Sequence, residues 1–65
     1  MLDVGTVVRV TYNDGWLFKR IGIIELAHQD GYENHYYRVR FERTICGQIT
    51  HLTLLVPGYW VEKIN

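Results

Sequence analysis

Apolar and polar side chains alternate with a period of two along most of the chain, the pattern of half-buried β-strands and not of amphipathic helices. Residues 6–12 set Val8, Val10 and Tyr12 on one face and Val7, Arg9 and Thr11 on the other. Residues 22–27 form a β-branched run opened by Gly22, and a glycine at such a place marks a bulge or a tight bend. The clearest strand spans 36–42, with Tyr37, Val39 and Phe41 facing one way and Tyr36, Arg38, Arg40 and Glu42 the other. A fourth strand spans 48–54, alternating Ile49 with Thr50 and Leu52 with Thr53, and a short fifth spans 61–64. The predicted core is Val8, Val10, Ile24, Leu26, Tyr37, Val39, Phe41, Ile49, Leu52, Val61 and Ile64.

Turn chemistry separates these runs. Asn13-Asp14-Gly15 combines a residue that accepts positive φ with side chains that bond nearby backbone. Residues 16–20 make a loop rich in large side chains. Residues 28–35 are polar, contain Asp30-Gly31 and read as a hairpin tip. Residues 43–47 make the next turn, Pro57-Gly58 ends the fourth strand, and Tyr59-Trp60 predicts a single 3-10 turn before the last one. No capped apolar stripe of helical length occurs. The expectation is an all-β fold: a five-stranded SH3-like barrel, filling 1–65 as one domain, with a short 3-10 turn before the last strand. Closure would remove the two unpaired edges that so small a sheet otherwise exposes.

Composition narrows the function. A chain of 65 residues holds one domain with a thin core, which association with another subunit would supplement. Cys46 is the lone cysteine, which fits a reducing compartment and excludes cysteine-based zinc knuckles. No apolar run approaches the roughly 18–20 residues of a membrane span, and the N-terminus lacks the pattern of a signal peptide. These features predict a cytoplasmic protein, or one peripheral to a membrane complex. Seven basic and seven acidic side chains cancel, whereas small nucleic-acid binders are usually basic. Two Trp, five Tyr and two Phe exceed what a tiny barrel can hide, so some rings are expected to line a surface groove.

Two groups of side chains are the candidate contacts. Arg9, Arg38 and Arg40 alternate outward, with Lys19, Arg20 and Arg43 in flanking loops, and would dock an acidic protein or phosphates. Glu25, Glu42 and Glu62 are placed to neutralise that face across strands. Tyr12, Trp16, Phe18, Tyr36, Tyr59 and Trp60 are expected to gather where the first loop meets the turn before the last strand, a junction suited to gripping extended peptides. Among them Trp60 reads as a core plug, while Trp16, Tyr36 and Tyr59 read as binding residues. His28, His35 and His51 match no metal-ligand spacing, and Cys46 reads as a small semi-buried filler. The chain has no serine, no glycine-rich phosphate loop and no identifiable carboxylate pair. Neither catalytic residues nor a cofactor are predicted.

The sequence Gly5-x-x-Val8-Arg9-Val10, then Gly22-x-Ile24, Val39-Arg40-Phe41 and Val61-Glu62-Lys63-Ile64, resembles the small SH3-like accessory subunits of photosynthetic electron-transfer complexes. These are the E subunit of photosystem I, the S subunit of the photosynthetic NAD(P)H-dehydrogenase-like complex and the variable chain of ferredoxin–thioredoxin reductase. Val8-Arg9-Val10-Thr11, followed by Trp16-Leu17-Phe18 and Gly22, is most similar to the S subunit, although residues 28–35 form a longer polar loop than its hairpin. The resemblance implies a non-catalytic subunit on a larger complex, with Arg9, Arg38 and Arg40 helping an acidic partner dock. A second resemblance is to the type II dihydrofolate reductases, through Gln48-Ile49-Thr50 and the tail Glu62-Lys63-Ile64-Asn65. It would imply an enzyme, but Thr50 stands where that family has a tyrosine, and Val10 or Thr11 near where it has a lysine. Both losses weaken the hold on an anionic cofactor.

The overall expectation is therefore a non-catalytic protein-binding module, an accessory or docking subunit that could also self-associate. The alternative is a phage- or plasmid-encoded inhibitor, or a nucleic-acid accessory protein stacking bases on Trp16 or Tyr36 beside Arg38.

Overall fold

A computed structural model describes residues 1–29 and 34–64. Five strands form one antiparallel sheet: β1 (Val7–Val10), β2 (Ile21–Gln29), β3 (His35–Ile45), β4 (Gln48–Pro57) and β5 (Val61–Lys63). Their order across the sheet is β4-β3-β2-β1-β5, so the chain meanders until β5 returns beside β1. The sheet is open, with β4 and β5 at its edges, so the closure expected to remove both edges is not made among the described residues. A 3-10 turn, Gly58–Trp60, precedes β5 where the sequence predicts one, and a second, Gly15–Leu17, shapes the loop after β1. Asp30-Gly31, the predicted hairpin tip between β2 and β3, lies outside the described residues. No described helix is long and apolar enough to cross a membrane.

The core is the inward face of this sheet. Val8 and Val10 from β1, Ile24 from β2, Tyr37, Val39 and Phe41 from β3, and Val56 from β4 are buried, with Leu17 closing one end from the first 3-10 turn. Trp60 and Val61 pack against this cluster from the other 3-10 turn and β5. The N-terminal segment is tied down by the Leu2 amide, which donates to the Tyr37 hydroxyl at 2.8 Å.

Several expected core positions differ. Leu26 is 46% exposed because the pairing of β2 with β3 slips between Ile24 and Leu26. Glu25 is the extra residue of that bulge, so Leu26 falls opposite the outward Arg38 and Ala27 opposite the inward Tyr37. Ile49 is 67% exposed because β4 turns its even-numbered positions inward: Leu52 and Leu54 are half-buried and Val56 is buried. Val61 and Ile64 are half-buried. Gly22 is not the bulge residue. It serves close packing, since a Cβ there would lie 2.6 Å from Val39 Cγ1 and 2.9 Å from the Arg40 carbonyl oxygen. Cys46 is exposed, not semi-buried. It shares the β3–β4 turn with Gly47, at φ values of 51° and 78°, the left-handed pair of a type I′ hairpin.

Candidate partner-binding surface

The turn before β5 gathers part of the predicted aromatic group. Extended backbone at Pro57 delivers the chain into the 3-10 turn, which turns Tyr59 outward and Trp60 toward the core. Tyr12, just beyond β1, stacks on Trp60 with ring centres 4.6 Å apart and planes within 3°. It also meets Tyr59 edge-on at 6.1 Å. Thr11 fixes this junction, because its amide (2.7 Å) and its hydroxyl (3.2 Å) both donate to the Trp60 carbonyl. The Trp60 indole Nε1 is buried without a hydrogen-bond partner. Tyr59 is 75% exposed and stands on the wall of a groove of about 560 Å³ that Tyr36, Pro57 and His35 also line. Gly58 permits this approach, since a Cβ there would lie 3.1 Å from the His35 Cβ.

Tyr36 opens the outward side of β3, and alternation carries that side through Arg38, Arg40 and Glu42. The structure thus brings Tyr36 and Tyr59 together in one groove, while Arg38 and Arg40 follow Tyr36 along the outward side of β3, beyond the groove's lining. Arg38 lies between Leu26 and Leu55 as cross-strand neighbours. Arg40 forms an ion pair with Glu25 at 3.8 Å, and Glu25 also accepts a hydrogen bond from Thr53 Oγ1 at 3.2 Å. Arg9 sits farther across the sheet, directly opposite Glu62. Two of the three arginines therefore have acidic neighbours, and the outward face is a mixed-charge surface with Arg38 set among leucines.

Trp16 and Phe18 do not join the cluster at the turn. Trp16 meets Phe41 edge-on at 6.1 Å. The Arg20 guanidinium lies 4.2 Å from the Trp16 ring centre, and Arg20 Nε donates to the Trp16 carbonyl at 3.1 Å. Phe18 carries Lys19 over its ring at 5.4 Å. His28, His35 and His51 lie on β2, β3 and β4. No group of three or more His, Cys, Asp or Glu suited to a metal ion occurs among the described residues.

Three apolar side chains outside both candidate groups complete the outward face. Val7, Ile21 and Ile23 are exposed and, with Arg20 and Arg40, line a second groove of about 360 Å³. The signal was present in the doubled apolar pairs Val7-Val8 and Ile23-Ile24, which supply both faces of a strand at once.

Comparison with protein-family models, with curated proteins and with solved structures finds no match for this chain.

Proposed function

We propose that the chain is a non-catalytic protein-binding module on an SH3-like barrel, which holds an extended segment of a partner protein in the groove between Tyr36 and Tyr59. The observation that carries this reading is the Tyr59 ring, held by the turn yet 75% exposed on the wall of a concave site. Rigid aromatic rings of this kind bind at low entropic cost, because little rotamer freedom remains to be lost. Arg38 is the next outward position after Tyr36 on β3, beyond the groove's lining, and its guanidinium would meet acidic side chains flanking the bound segment. An accessory subunit that positions an acidic partner on a larger complex is the role this surface fits. The meander with a 3-10 turn before β5 and the bulge in β2 support an SH3-like barrel that stays open between β4 and β5.

The test is affinity capture from the native host with the wild-type chain and with the Tyr36→Ala/Tyr59→Ala double variant, with bound proteins identified by mass spectrometry. A protein held by the wild type and lost with the variant, whose circular dichroism is unchanged, is the expected result. Equal capture by both chains would remove the groove from the reading. Charge reversal by Arg38→Glu with Arg40→Glu then separates the two halves of the surface, since an acidic partner should be lost there too.

A further inference from the structure

The two edges of the sheet are built differently. β5 is three residues long and carries Glu62 and Lys63, the short charged form that discourages pairing with another chain. β4 is ten residues long, carries no charged side chain, and pairs with β3 without a register break. Its one proline is the last residue, Pro57. Among the described residues no strand pairs with its free side.

The β3–β4 turn fixes which main-chain groups face that side. Ile45 and Gln48 flank the two-residue turn and so form a hydrogen-bonded pair. By alternation, Thr50, Leu52, Leu54 and Val56 direct their amides and carbonyls toward β3. Ile49, His51, Thr53 and Leu55 direct theirs away from it.

From this we infer that β4 is a self-association edge, pairing antiparallel with β4 of a second copy about a two-fold axis through Leu52. In that register Ile49 faces Leu55 of the second copy and His51 faces its Thr53. All four outward amides of each chain are then satisfied. Ile49 and Leu55, at 67% and 64% exposure, are among the most exposed apolar side chains described, and each becomes the other's cover. On the inward side the half-buried Leu52 meets its own copy and Leu54 meets Thr50. No pair across the axis sets charge against charge, and the formal net charge of zero adds no long-range repulsion. A second copy satisfies this edge at every position, because an isologous contact must be complementary to itself and this one is. The inference does not depend on the aromatic groove.

Sedimentation equilibrium on the full chain, across roughly 10 μM to 1 mM, should give a monomer–dimer equilibrium. Ile49→Lys alone should weaken it by about tenfold or more, and Ile49→Lys with Leu55→Glu should restore it, because the register sets the two new charges opposite each other twice. Amide hydrogen exchange provides a readout without substitution: the amides of Ile49, His51, Thr53 and Leu55 should gain protection as concentration rises. A monomer throughout, a dimer indifferent to Ile49→Lys, loss without rescue, or concentration-independent exchange at those four amides would each overturn the assignment.

Discussion

Within β3, one side of the strand has two fates. Toward its start, Tyr37, Val39 and Phe41 face inward and are no more than 4% exposed. Toward its end, Arg43 and Ile45 continue on the same side, yet both are exposed, Ile45 at 45%. The strand has not changed direction; its surroundings have. At Val39 and Phe41, β2 and β4 flank the strand and β1 and Leu17 cover it. Beyond Phe41 only β4 remains alongside, and the β3–β4 hairpin extends past the core, consistent with a molecule 41 Å long and 23 × 22 Å across. Alternation decides the side a residue faces, while the elements stacked over that side decide whether it is buried.

Substitutions at matched positions should break this comparison apart. The largest effect is expected for Phe41→Ala, which removes a fully buried ring and should cost about 3–5 kcal/mol, enough to unfold much of so small a domain at room temperature. Ile45→Ala, on the same side of the same strand, should cost well under about 1 kcal/mol. Urea denaturation of both variants measures the contrast, and equal losses would mean that the hairpin end is packed as tightly as the core.

A smaller loss is expected at Gly22→Ala. The new methyl group meets the Arg40 carbonyl at 2.9 Å, a main-chain atom that cannot rotate aside, so about 1–3 kcal/mol should be lost. A shift in melting temperature reports it, and a neutral outcome would show that β2 can retreat from β3 at that point.

The smallest effect should have the opposite sign. Cys46 occupies a left-handed position that asparagine adopts more readily, and Asn-Gly is the favoured pair for this turn. Cys46→Asn should therefore raise stability by about 0.5 kcal/mol, read as a small rise in the urea midpoint. A fall would show that the thiol makes contacts that outweigh its backbone strain.

Much of the strand order was legible because its signals are local. Asn13-Asp14-Gly15, Pro57-Gly58 and the uninterrupted alternation of residues 36–42 each mark structure within a few residues. The misplaced side chains depend on information from elsewhere in the chain. Leu26 keeps the alternation of its own run perfectly, and only the pairing of β2 with β3 reveals that Glu25 is supernumerary. Ile49 and Leu52 cannot both face inward, because an odd and an even position of one strand point opposite ways, and β3 as a neighbour settles which does. At the candidate site, Tyr36, Arg38 and Arg40 were legible as one face because they share a strand. Trp16 lies apart from the expected cluster because its ring partner Phe41 is 25 residues away in sequence, while Arg20, four residues on, reads in the sequence only as part of the basic face.

The supernumerary Glu25 also accounts for shape. Two neighbouring strands behave like the rails of a track, and a track curves when one rail is longer than the other. β2 gains one residue of length over β3 at this point, and the cross-strand partnerships resume intact on the far side. One extra residue thus sets a bend at this point of the strand. Deleting that residue would keep every other cross-strand partnership while straightening the track, and would remove the carboxylate that Arg40 and Thr53 share.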